Sequence, residues 1–209
     1  MMLRHGKRRR LVGLPLVIGL TLLCGCGIFG PSDRALVREM RFGGSAEARR
    51  EALLKLRGRV KPRMRLDLEW VLAYELDPST RALAAQVLGE LGDVRSVEPL
   101  RESVQRDVSW IVRQRALRAM GRLLGPRAGD DLEYVLGNEF RPEVRIEALE
   151  VARERLAAEA PDRLQELLLT GLADPSVAVK LKAHAILAEW TGRSAEPNPR
   201  SWREALQAG

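Results

Sequence analysis

Four segments of this sequence align at intervals of 32 residues, and the apolar residues within them recur with a helical period. Together these observations predict an all-α fold, an α-solenoid of about five antiparallel helix pairs with a short C-terminal capping helix. Composition agrees. Beyond residue 32 the chain is rich in Ala, Leu, Arg and Glu, and it lacks the alternating or β-branched runs of a strand.

The aligned segments are "EARREALLKL", "STRALAAQVL", "IVRQRALRAM" and "EVRIEALEVA". Each carries Arg-x-x-Ala, at Arg49/Ala52, Arg81/Ala84, Arg113/Ala116 and Arg145/Ala148. A fifth, "AVKLKAHAIL", places Lys180 and Ala183 after a step of 35. The units run over 33–60, 61–92, 93–125, 126–157 and 161–192, each read as two helices. The second helix is followed through Ala84, Val87, Leu88 and Leu91, or through Ala183, Ile186, Leu187 and Trp190, an apolar stripe at i, i+3, i+4 and i+7. The small Ala lets neighbouring helices approach, which puts Ala116 at a contact and Arg118 on the exposed side. The first helix ends at a turn such as "DPS", at Asp77 and again at Asp174, where proline suits the start of the next helix.

These residues resemble HEAT-like repeats of the PBS-lyase type, whose pattern runs roughly D-P-x-x-x-V-R-x-x-A-x-x-x-L-G. Asp107, Val112, Arg113, Ala116 and Met120-Gly121 fit one copy; Asp174, Pro175, Val179, Lys180 and Ala183 fit another; Val144, Arg145 and Ala148 fit a third. The unit at Arg81 departs, since Asp77 lies four residues before the Arg and not six, and a tighter turn is expected there. The unit at Arg49 has "GGS" in place of Asp-Pro. The resemblance implies helix pairs stacked into a curved rod, with second helices lining the concave side. It also implies a structural ladder in which Arg49, Arg81, Arg113, Arg145 and Lys180 bond to turn carbonyls or to an acid of a neighbouring unit; phosphate binding is the rival role. Some relatives bind damaged DNA or attach bilin pigments, substrates that an exported chain has little opportunity to meet.

The tail 193–209 breaks the period and carries Trp202 on a short helix after Pro199. It reads as a cap packing on Trp190. Trp70, Trp110, Trp190 and Trp202 read as packing residues, with a ligand platform as the alternative.

Residues 1–25 have the parts of a secretory signal: the charged start "RHGKRRR", the 13-residue apolar run "LVGLPLVIGLTLL" and small residues after it. The chain's two cysteines follow, in "LLCGCG". A disulfide between Cys24 and Cys26 would be strained, and two ligands are too few for structural zinc. "LCGC", Leu23 to Cys26, resembles the lipobox of bacterial lipoproteins, with Leu at −3, Gly at −1 and then the Cys. Cys24 stands where Ala, Ser or Thr is usual. The resemblance implies cleavage before Cys26, acylation of that residue and a short tether over 26–32. An uncleaved anchor helix and an ordinary secretory signal are the alternatives. Gly27 is not the Asp that retains many such proteins in the inner membrane, so the resemblance favours the outer membrane, with the domain facing the periplasm or the surface.

Five basic residues of the formal +7 precede Leu11; without them 30 basic residues face 28 acidic ones. Nucleic-acid binding is therefore not expected. The positive charge that remains is concentrated in "KLRGRVKPRMR", with Lys55, Arg57, Arg59, Lys61, Arg63 and Arg65 and no acid among them. From Asp33 to Arg65 the net charge is +7, and from Leu66 onward it is −5. This stretch is the candidate contact for an anionic surface or a partner, and a solvated charge run is the plainer reading. Catalysis has little support: there is no phosphate loop, H-E-x-x-H or nucleophile elbow, His184 reads as an ordinary helix residue, and Asp130-Asp131 suits a helix start. No cofactor, metal or small-molecule substrate is expected. The sequence points to an envelope scaffold for an unknown protein partner and does not assign the binding to one repeat or face. A spacer whose basic first repeat adheres to the envelope is the alternative, with an enzyme third.

Overall fold

The computed structural model describes residues 30–207. Within them the chain forms eleven α-helices, three short 3₁₀ segments and no strand. The helices are α1 (Asp33–Phe42), α2 (Ala46–Leu56), α3 (Arg65–Tyr74), α4 (Pro78–Leu91), α5 (Val97–Arg106) and α6 (Trp110–Leu124). They continue with α7 (Gly129–Asn138), α8 (Pro142–Leu156), α9 (Pro161–Leu172), α10 (Val177–Thr191) and α11 (Pro199–Gln207). The fold is the expected all-α solenoid. Odd and even helices pair from α1–α2 to α9–α10, and the even helices form an unbroken layer in which α2, α4, α6, α8 and α10 each pack on the next.

The local signals are those the residues dictate. Ser45 accepts from the Ala48 N–H to cap α2, and Asp77 accepts from the Thr80 N–H to cap α4, with Pro78 at the first helical position. Gly92 ends α4 in the left-handed conformation, φ 78°. The repeat alanines Ala52, Ala84, Ala116, Ala148 and Ala183 are all buried in one continuous core. Two glycines then set the spacing of the even layer. A Cβ on Gly89 would lie 2.8 Å from the Ala119 Cβ, and one on Gly121 would strike Val151. Bare backbone at these two places lets α4 meet α6 and α6 meet α8.

The expected tighter turn before Arg81 is not found. The turns 75–77, 107–109 and 139–141 have the same length, because the position six before the arginine is filled by Glu75 and Asp77 is an added helix cap. The two "DPS" stretches are therefore not equivalent: Asp77 caps a helix, whereas Asp174 occupies the turn position of Glu75.

The cap also differs from expectation. α11 packs on α9, and fully buried Trp202 meets His184 of α10, its Nε1–H donating to Nδ1 at 3.0 Å, a partner not expected from the sequence. A buried indole N–H needs an acceptor. An imidazole nitrogen supplies one, while a second tryptophan is a donor only. His184 is thus the cap's hydrogen-bond partner.

Candidate interaction surfaces and the arginine ladder

Four of the five aligned basic residues build one repeated device. Arg49 donates from Nε and Nη2 to Glu75 at 2.5 and 2.8 Å, and Arg81 likewise to Asp107 at 2.8 and 2.9 Å. Arg113 donates to Glu139 at 2.6 and 2.7 Å, and Arg145 to Asp174 at 2.7 and 2.8 Å. In each case Nη1 also reaches back to the carbonyl six residues earlier in its own turn, that of Gly43, Glu75, Asp107 or Glu139. The acid in turn accepts from the backbone N–H two residues on: Asp77, Ser109, Arg141 and Ser176. One guanidinium therefore ties its own turn to the turn of the following pair.

The ends of the ladder explain the sequence's irregularities. Among the described residues no pair precedes the first, and its "GGS" turn has no acid at this place. Lys180, in the last pair, makes no ion pair among the described residues. Asp107 and Asp174 are motif positions of the sequence, whereas Glu75 and Glu139, at the same place six before a basic residue, were not singled out there.

These pairs are forked and largely withdrawn from water, the geometry in which charge-assisted bonds are strong. The bond from Arg49 holds the Glu75 carboxyl below its usual range despite burial. Burial pulls Glu139 upward, but Arg113 and the Arg141 N–H outweigh it and the net shift is downward.

The basic stretch is less free than its sequence suggests. Lys55 pairs with Glu51 at 2.7 Å and Arg57 with Glu90 at 2.6 Å. Arg59 and Lys61 share Asp33 at 2.6 and 3.0 Å, and Arg65 pairs with Glu69 at 2.7 Å. Arg63 alone of the six has no ion pair among the described residues. The acids flank the stretch in the first pair, Asp33 and Glu51, or stand in the second, Glu69 and Glu90, so a reading confined to residues 55–65 left them out.

The tryptophans divide. Trp202 is buried in the cap. Trp70 stands between Phe42 and Tyr74 at centroid distances of 5.8 and 5.6 Å, with the Arg41 guanidinium over Phe42 and Trp70. Trp110 lies under Arg141, and Trp190 is partly buried. The turns themselves present a row that sequence reasoning did not single out: Leu76, Val108 and Phe140, spaced 32 apart and 88, 93 and 93% exposed. Arg118, expected to be exposed, is half-buried and bonds Glu147 and Glu154 of α8.

Among the described residues no group of three or more His, Cys, Asp or Glu is placed to hold a metal, and no helix is long and apolar enough to cross a membrane. Cys26 and the signal segment lie outside the described residues.

Stacked helix pairs joined by one repeated arginine–acid rung define a repeat solenoid. The family model for HEAT repeats matches residues 35–121 and again 66–153, together more than half of the chain, and the protein belongs to the HEAT-repeat family. No curated protein matches the chain.

Proposed function

We propose that this chain is a membrane-anchored envelope protein whose HEAT-repeat solenoid serves as a scaffold for binding a partner protein. The observation that carries the scaffold role is the row Leu76, Val108 and Phe140. Three large apolar side chains repeat at the period of the fold, nearly fully exposed, on turns that the ladder holds in place. Large apolar side chains held out to solvent at the same place in successive units give a partner a repeated contact, and a solenoid presents such a surface along its length. The anchoring role rests on the basic start, the apolar run and the "LCGC" box ending at Cys26. The adhesion alternative draws less from the geometry, since five of the six groups in the basic stretch already share acids within the fold. Photocrosslinking side chains placed at Leu76, Val108 and Phe140 in cells should trap one and the same protein from all three sites. The same probe at Arg127, on the opposite connection, should not. Absence of a common product from the three sites would remove the scaffold reading.

A further inference from the structure

On the open face of the even-helix layer, α6 presents Arg115, Arg118 and Arg122 around a depression of about 80 Å³ completed by Gln86, Gly89 and Ala119. The depression exists because α4 and α6 approach so closely at Gly89 and Ala119. Arg115 and Arg122 are exposed, and neither makes an ion pair among the described residues.

Acids do stand near them in the repeat register, and each is already engaged. Glu90, 32 positions before Arg122, is held by Arg57 and by Gln86. Glu147, 32 positions after Arg115, is taken by Arg118 and Gln114. Glu150 is shared by Lys182 and Arg153, and Glu154 by Arg118 and Arg155. The acids of α4 and α8 that flank α6 are thus taken, and Arg115 and Arg122 are left over.

We infer that Arg115 and Arg122 form a docking site for an acidic helical segment of a partner protein, with one carboxylate of that segment on each guanidinium. This rests on the scaffold reading and names the chemistry of a partner. Seven residues of helix separate the two arginines along α6 by about 10 Å. A helix running alongside offers two carboxylates at that spacing and on one side when they are seven positions apart. An extended segment does not: same-side residues fall about 7 or 13 Å apart, and three residues on, the side chain has changed face. The volume admits a carboxylate-sized group but is far below that of a pocket for a free small molecule. A polyanion is disfavoured because Glu143, Glu147, Glu150 and Glu154 line the adjoining helix and would face its continuous charge.

The test uses the full-length chain and labelled helical peptides of about 20 residues based on Ala and Gln. One carries two Glu seven positions apart; the other has the same composition with the two Glu five apart, on different sides. The first should bind up to about fivefold more tightly, the gain expected of the second exposed charge pair, and the difference should shrink as salt rises. R115Q with R122Q should abolish the difference and R127Q should keep it. R115E with R122E should instead bind a lysine version of the first peptide. Equal binding of both peptides, or a difference that survives R115Q with R122Q, overturns the site. So does an oligonucleotide that binds more tightly than the peptide and loses binding in the same variant. If the crosslinks from Leu76, Val108 and Phe140 persist in that outcome, the scaffold reading stands and only the acidic-segment site falls.

Discussion

Arg145 and Asp174 are joined by two parallel hydrogen bonds across the step from the fourth helix pair to the fifth, and their side chains are only 8 and 5% exposed. Removing one partner of such a pair leaves the other charge buried without compensation. Arg145→Met should therefore lower unfolding free energy by about 3 to 5 kcal/mol, whereas Arg145→Met combined with Asp174→Leu should recover much of that loss. Lys180→Met, at the ladder's unpaired end, should change stability by less than about 0.5 kcal/mol. Urea unfolding followed by far-ultraviolet circular dichroism compares the three. Equal effects at Arg145 and Lys180 would mean that the rung does not hold the pairs together.

The same rungs give the protein a pH dependence of definite sign. Glu75 and Glu139 have lower pKa values folded than unfolded, Glu75 chiefly through Arg49, and Glu139 through Arg113 and a backbone N–H against its burial. A depressed carboxylate contributes stability above its unfolded value and loses it as pH falls through the folded one. Stability should thus be flat above the ordinary glutamate value of about 4.3 and decline below it. Glu75→Gln should be less stable at neutral pH and should show a shallower acid decline. An unchanged acid slope in that variant would show that Glu75 does not carry the effect.

Much of this fold was legible because its information is local and repeated. Arg-x-x-Ala at intervals of 32 located the even helices, and the buried Ala52, Ala84, Ala116, Ala148 and Ala183 occupy the contact positions that the pattern assigns. What stayed hidden was pairing across repeats. "KLRGRVKPRMR" reads as uncompensated charge only while Glu51, Glu90, Asp33 and Glu69 are out of view, and Glu90 comes from the second pair through the stacking of the helices. His184 looked inert for the same reason: its role depends on a tryptophan 18 residues away. The surplus of Arg115 and Arg122 emerges only after every neighbouring acid has been assigned a partner.

Packing in the even layer yields a sharper comparison. Gly121→Ala forces a methyl into Val151 and should destabilise by about 1 to 3 kcal/mol. Arg118→Ala removes the guanidinium from Glu147, itself only 7% exposed, and should likewise cost about 1 to 3 kcal/mol. Arg127→Ala, exposed and without an ion pair among the described residues, should stay within about 0.5 kcal/mol. Thermal melts of the three variants check this. A neutral Arg118→Ala would show that Glu147 finds water or another donor when its arginine is gone.

Membrane attachment is the part of the proposal on which processing bears most directly. In the "LCGC" box the residue before Cys26 is Gly25 and the third before it is Leu23, the small-residue and Leu positions that the lipobox resemblance requires. The neighbouring Cys24 is the competing candidate, but Leu23 and Thr21 occupy its corresponding positions, and a bulky Leu suits a cleavage site poorly. Intact mass and peptide mapping of the mature protein should therefore place its N-terminus at Cys26, with acyl chains on that residue. Cys26→Ser should accumulate an uncleaved precursor, and Cys24→Ser should be processed as the parent is. The two substitutions remove the same kind of side chain two positions apart, so their contrast separates a specific attachment residue from a general need for thiols. A mature N-terminus upstream of Gly25, or normal processing of Cys26→Ser, would remove the lipid anchor from the proposal and leave the solenoid's binding role to stand on its own surface.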